Sequence, residues 1–589
     1  MARAVYAGAL HYWRLEPDAW APCLRAMHDA GFTHVETPVP WRVHEPARGQ
    51  LQWTGERDLV RFVELARAAG LGVVVRLGPI AGAELTSFGI PDWVLAEPAC
   101  RAVTSRGTPA WLPAPPRAFP IPSLASASFR AHVRAWFENV GKLVPKAAIS
   151  AIALEHPGAQ LVRTGAYDVD YHPDALAWFA EIAGVGATVP RAWSREHAAA
   201  CVRWVQFRGE YADRAHREWS AMLDDAGLGE VARIDLAPVS YAARSALRDV
   251  HVPAGSVAQC GVGLVPWLPP DELAAADGAP HAERDRLIAS LVAARGFDLV
   301  MAVERDRYCG GAIDRQGRVQ AAWLRPLLAA LAEVDWPSLR RATPIALVDV
   351  RADWRFGIAS CFVDPVPDVL AELLALGPGG AAELGDDAGA VAARRWHVAV
   401  RRALELAQVP YAIVDEHTPA DELAGYRAVI APTLERIDRG LWQTLRELAD
   451  AKRTIVVIGP GTPVRDEFDR PLDGPLGGTA PRRMGRLEPG SLDDLAGLAA
   501  ALGELAGELP DAWQVERPNS VRSAVFSDDA GAPRIVLVLA DGSAPIAATL
   551  LADPSCTRVR DVLTGELVPV RDGRVALTVA GARVLLPET

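Results

Sequence analysis

The sequence predicts an α/β chain in three parts: a (β/α)8 TIM barrel over residues 1–340, a doubly wound α/β domain over 341–510 and a β-sandwich over 511–589. Three observations predict it. Short apolar runs alternate with amphipathic helical stretches through the first part, which implies a parallel sheet with helices outside it. The same alternation restarts at Thr343. The last ~75 residues then read as strands joined by turns, with Asp541-Gly542 and Thr564-Gly565 as punctuation. At 589 residues the chain is also too long for one compact domain.

The elements follow in order. Val5–Leu10 is a short buried strand, and Trp20, Leu24 and Met27 share one face of a helix that stops at Gly31. His34–Pro38 is the second strand. Thr54 is placed to cap a helix whose Leu59, Phe62, Val63 and Ala66 share a face, ending at Gly70. Leu71–Leu77 is nearly continuous in apolar residues, as a strand buried on both faces requires. Ile149–Leu154, Val231–Leu236, Val257–Gly261 and Leu299–Val303 continue the barrel. Between Asp249 and Gln259 there is no room for strand, helix and strand, so one barrel helix is expected to be missing there. In the second part Ile345–Val350, Tyr411–Val414, Ala428–Ala431 and Thr454–Ile458 are strands, and Ala393–Leu406 is a helix between them.

Composition narrows the function classes. Half of the residues are hydrophobic and 23% are charged, an ordinary globular balance. The net charge of −12 argues against a nucleic-acid or anionic-membrane partner, either of which calls for a basic face. No apolar run approaches the roughly 18 residues of a membrane span, and the start of the sequence lacks a secretory pattern. Seven dispersed cysteines without a CxxC pair read as reduced thiols in a cytoplasmic protein, with no disulfide framework and no metal site. No cofactor motif is present.

A TIM barrel carries its chemistry at the C-terminal ends of its strands. The polar residues there are His11, Tyr12 and Arg14 after the first strand, and Glu36, Trp41, His44 and Glu45 after the second. Arg76 and Glu84 follow on the third, Glu155 and His156 on the fourth, Gln259 on the seventh, and Glu304, Arg305 and Asp306 on the last. Carboxylates, arginines and tryptophans in this pattern suit a sugar-like or polyol small molecule, whose hydroxyls take polar partners and whose C–H face packs on a ring. The competing reading is a buried polar network that ties strands together. Asp168, Asp170 and His172 alternate, but a solvated loop explains them better than a metal.

Gly8-Ala-Leu-His-Tyr-Trp-Arg14, Val35-Glu-Thr-Pro-Val-Pro-Trp-Arg-Val-His-Glu-Pro46 with Gly49, and Arg76-Leu-Gly-Pro-Ile-Ala-Gly-Ala-Glu-Leu85 with Gly89-Ile90-Pro91 come in order and at fixed spacing. Together they resemble the opening motifs of glycoside hydrolase family 35, the β-galactosidase-like family. Tyr167–Leu176, Pro266-Trp267-Leu268-Pro269-Pro270, with Trp267 a candidate sugar-stacking ring, and Val303–Tyr308 continue the likeness more weakly. The resemblance implies a flavodoxin-like second domain, similar to a trimerisation module, and hence a homo-oligomer. It also implies retaining hydrolysis of a β-galactoside by two carboxyl groups about 5–5.5 Å apart.

At both expected carboxylates the sequence departs from that pattern. An ungapped match anchored on Arg163 and Tyr167 sets His156-Pro157 against the family's Asn-Glu pair, and a two-residue shift puts Glu155 in the acid/base place. Gln259 stands where the resemblance implies the nucleophile. An amide carries no charge to stabilise an oxocarbenium ion and attacks poorly. Ile80 and Leu85 replace the family's usual Tyr and Trp. The expectation is therefore a repurposed, non-hydrolytic member acting on a polyhydroxylated molecule through Glu155, His156, Glu304 or Asp306. The alternatives are a working β-galactosidase using Glu155 and a non-catalytic sugar-binding or assembly protein.

Overall fold

The computed structural model describes residues 4–80, 85–114, 117–157, 169–191, 193–238, 257–260, 282–292, 294–300, 302–305, 311–360, 388–472, 484–486, 495–507, 513–517, 520–540 and 544–588. The chain divides into two compact units. One holds Met1–Ala187 and Phe207–Pro337; the other holds Thr188–Gln206, Ser338–Pro365 and Ala382–Thr589.

The first unit is a TIM barrel. Its strands are β1 (Tyr6–Ala9), β2 (His34–Pro38), β3 (Gly72–Leu77), β4 (Ala151–Leu154), β5 (Arg233–Ile234), β6 (Leu236–Pro238), β7 (Val257–Cys260) and β8 (Gly296–Leu299). They form one parallel sheet in the order β5-β4-β3-β2-β1-β8-β7-β6. Asp235 alone separates β5 from β6. The run they make pairs with β4 at its start (Ile152↔Arg233) and with β7 at its end (Pro238↔Gln259), which closes the ring. No helix joins β5 to β6, and the place where one was expected to be missing, residues 249–259, falls outside the described residues up to Val257.

Local chemistry explains most element boundaries. Gly31 takes φ 102° at the C-cap of the helix Pro17–Ala30, a left-handed conformation that suits glycine. The helix Leu59–Ala68 is capped by Asp58, whose carboxylate accepts from the Arg61 N–H, and not by Thr54. Gly55–Arg57 makes its own 3-10 turn, so the α-helix starts beyond it. The eighth strand lies at Gly296–Leu299, earlier than the expected Leu299–Val303. Asp298 lies inside that run and is fully buried, with the Arg76 guanidinium as counter-charge.

The second unit contains a parallel sheet of β9 (Ile345–Asp349), β10 (Tyr411–Asp415), β11 (Ala428–Thr433), β12 (Ile455–Pro460) and β13 (Met484–Arg486). Its order, β10-β9-β11-β12-β13, is that of a flavodoxin-like fold. Alternate residues of the strands enter two different cores. Ile345, Leu347 and Ile430 pack with Trp396, Leu404 and Leu502 on one face. Ala346, Val348 and Val429 pack with Leu441, Trp442 and Leu445 on the other. Beyond them a three-stranded and a five-stranded antiparallel sheet share one core, in which Val515, Leu550 and Val575 of the first meet Val536, Val538 and Leu585 of the second. This is a C-terminal β-sandwich.

Candidate active site

Arg76, near the end of β3, lies in register with Pro38 of β2 and Ala153 of β4. Its Nε donates to Glu36 Oε1 at 2.8 Å, and its Nη1 lies 3.7 Å from Glu155 Oε2. Asp298 of β8 adds a third carboxylate to its field. Burial would discharge Arg76, but Glu36, Glu155 and Asp298 hold it charged. Three carboxylates around one guanidinium cannot all stay anionic in a dry space. Burial, more than Arg76 opposes it, pushes Glu36 up to about 8, and the charges of Asp298 and Glu155 push the same way. Glu36 therefore stands as a neutral acid beside Arg76 at neutral pH.

His11 completes the group. Its ring is 3% exposed and stacks on Trp13 at 5.5 Å between centroids. Burial first, then the charges of Arg76, Arg14 and Arg305, hold it well below the usual histidine range, so the ring is neutral. Neither of its nitrogens has a hydrogen-bond partner among the described residues, and nor does Glu36 Oε2. The Arg14 guanidinium lies over Trp13 at 4.4 Å. The arrangement offers a protonated carboxyl, a carboxyl open to solvent at Glu155 and a neutral imidazole within one charged cluster, which is equipment for moving protons.

The structure brings Tyr12, Trp41, His44 and Glu45 together in a different cluster. The Tyr12 hydroxyl meets His44 Nε2 at 2.7 Å, and His44 Nδ1 meets the Gln52 carbonyl at 2.9 Å. Trp53 stacks on His44 at 4.0 Å, and Trp136 stacks on Trp41 at 5.9 Å. Trp41 Nε1 donates to Glu45 Oε2, and Glu45 Oε1 accepts from the Gly49 N–H, both at 2.8 Å. These four side chains are buried and spend their hydrogen bonds on one another and on nearby backbone.

After β4, His156 Nε2 lies 2.8 Å from Asp213 Oδ1, and its ring is 5.0 Å from that of His216. An open pocket of about 490 Å³ lined by Ile182, Glu210, Asp213, Arg214, Arg217 and Glu218 reaches this pair through Asp213. It is a charged groove on the helix Ala198–Leu223, and the Arg76 cluster is not part of its lining. After β8, Glu304 Oε2 accepts from the Arg315 N–H at 3.4 Å. Glu84, Trp267 and Asp306 lie outside the described residues, as does Asp168; Gln259 is described in its backbone, paired with Asp298 and Pro238.

Three acidic residues escaped the sequence reading. Asp298 was hidden by placing the last strand too late. Asp213 sits mid-helix, far in sequence from the His156 it meets. Asp170, expected in a solvated loop, is 1% exposed. It accepts from Ser123 Oγ, the Tyr211 hydroxyl, and the Val103 and His172 N–H groups, and so ties loop to helix. An isolated Asp between apolar neighbours, Val169 and Tyr171, was the available signal.

Comparison with known proteins agrees with this architecture. Residues 2–150 match the family described as Glycosyl hydrolases family 35. Human Beta-galactosidase-1-like protein 2 is 37% identical over 101 residues, 17% of this chain and 16% of that protein. The Exo-beta-D-glucosaminidase of Pyrococcus horikoshii is 43% identical over 95 residues, 15% of this chain and 12% of that protein. The matched segments thus span a small part of either relative. The crystal structure of beta-galactosidase from Bacillus circulans sp. alkalophilus aligns over 99% of both chains at a TM-score of 0.66 with 12% identity, a likeness of fold.

Proposed function

We propose that this chain, whose residues 2–150 match glycosyl hydrolase family 35, is a repurposed member of it. It binds a sugar-like or polyhydroxylated small molecule at the barrel mouth and performs acid–base chemistry there without double-displacement hydrolysis. One observation carries this reading. Of the carboxylates gathered on Arg76, the side chain of Glu155 is 14% exposed, whereas Glu36 and Asp298 are 0% exposed. Retaining hydrolysis needs two carboxyl groups that both reach the substrate. A carboxyl sealed beneath a guanidinium cannot attack an anomeric carbon, and the seventh strand carries Gln259. Glu155 is then the acid/base group, Arg76 orients it, and the buried neutral ring of His11 backs the cluster. Isomerisation, dehydration and ring closure all need such a set. The proposal includes a cytoplasmic homo-oligomer assembled through the flavodoxin-like domain.

Incubation with nitrophenyl β-galactoside and nitrophenyl β-glucosaminide tests it. The expected result is no nitrophenol above background. Turnover that Glu155→Gln abolishes would overturn the proposal and install a retaining glycosidase, the reading favoured by the position of Glu155 directly after β4. Tight galactose binding with no chemistry on any polyol offered would overturn it in favour of a sugar-binding protein.

A further inference from the structure

Away from the Arg76 cluster, three side chains with metal-ligating atoms converge on the barrel's flank. Glu97, Cys100 and His132 each present one such atom, all within 4.8 Å of one another. Glu97 Oε2 lies 3.1 Å from His132 Nε2 and 3.9 Å from Cys100 Sγ. Zinc bonds of about 2.0–2.3 Å at tetrahedral angles give ligand–ligand edges of roughly 3.4–3.6 Å. The two separations straddle that range by a few tenths of an ångström. For an S–H···O bond the sulfur distance is at the outer limit, so hydrogen bonding alone explains the thiol's position poorly.

The local fold holds the three groups in place. Glu97-Pro98-Ala99-Cys100 is a single 3-10 turn in which the Cys100 N–H donates to the Glu97 carbonyl at 3.0 Å, so both side chains project from one turn. Ser126 binds the Ala99 carbonyl through Oγ at 2.6 Å and also caps the helix Ala127–Leu143 that carries His132. The turn and the helix are thereby fixed to each other. Around the cluster, the edge of Trp93 meets the His132 ring at 5.2 Å, and Arg48 reaches Glu97 Oε1 at 3.4 Å. Such outer contacts orient ligands in known metal sites.

We propose that Glu97, Cys100 and His132 form a binding site for a zinc-class divalent cation, with a water as fourth ligand, that clamps the turn after the third-strand loop to the helix Ala127–Leu143. The inference does not depend on the chemistry assigned to the barrel mouth. Binding releases the Cys100 thiol proton to solvent and replaces the hydrogen bond between His132 Nε2 and Glu97 Oε2, the imidazole then carrying its proton on Nδ1.

The test uses the full chain, stripped with a chelator and titrated with Co(II). The expected result is one equivalent bound with a sulfur-to-cobalt charge-transfer band that Zn(II) removes by displacement. Cys100→Ser loses the band, and His132→Gln weakens binding by roughly a hundredfold or more, since even outer-shell changes cost ten- to a hundredfold. No stoichiometric binding to the parent, or a band that persists in Cys100→Ser, overturns the proposal. Should Cys100→Ser fail to fold, His132→Gln decides alone: an unchanged Co(II) affinity overturns the site.

Discussion

Arg76 is the residue on which the mouth depends, because its guanidinium is what allows Glu36, Glu155 and Asp298 to share one small volume. Removing one partner of a buried ion pair costs about 3–5 kcal/mol, since the other is left uncompensated. Arg76→Met is therefore expected to lose about that much stability, because Glu155 and Asp298 lose their counter-charge, and Asp298→Asn in the same chain to recover part of it. A double-mutant cycle in urea measures the coupling, and strict additivity of the two changes would remove the shared-charge picture. How legible this was in the sequence differs by residue. His11, Glu36, Arg76 and Glu155 were all marked by their strand-end positions, and the structure brings them together. Tyr12, Trp41, His44 and Glu45 come from the same motifs and sit in their own aromatic cluster instead. A motif that leaves a strand and enters a turn does not reveal which way each side chain points. His11 and Tyr12 are adjacent and belong to different groups.

At the scale of elements, apolar runs located the parallel strands because such strands are buried on both faces, and β2 falls at the expected residues. Register and neighbours were not legible, because pairing is non-local. Nothing in Val231–Leu236 announces that one run joins β4 to β7, and nothing in the periodicity of the second domain gives its strand order. Close packing around β1 was equally silent. A Cβ on Gly8 would stand 2.6 Å from Ala302 Cβ and 2.9 Å from Phe32 Cε1. These are neighbours with no flexible end to move aside. Gly8→Ala is thus expected to destabilise the barrel by about 1–3 kcal/mol, the usual cost of overpacking. A thermal or urea midpoint equal to the parent's would show that β1 has slack that the structure denies it.

Across the whole molecule, the buried titratable groups of the barrel set a pH window. His11 and His44 are held down by burial, His44 to about 4, while both take a proton near 6.5 when unfolded. Between about 4.5 and 6.5 the unfolded chain therefore binds two more protons at these sites, and stability falls as pH falls. Glu36 acts in the opposite sense. Its carboxyl is raised to about 8, so the folded chain holds a proton that the unfolded chain has released above about 4.5, and stability falls as pH rises towards 8. Two protons against one leave a net rise with pH below 6.5; one proton alone leaves a fall above it. Each unbalanced proton is worth about 1.4 kcal/mol per pH unit. These three groups together place maximum stability near pH 6.5. Urea midpoints at pH 5, 6.5 and 8 should peak at the middle value, and Glu36→Gln should flatten the decline above it and steepen the acid limb from one unbalanced proton to two. Parent and Glu36→Gln curves that run parallel from pH 6.5 to 8 would mean that Glu36 is already ionised in the folded barrel, and the proton held beneath Arg76 would have to be given up.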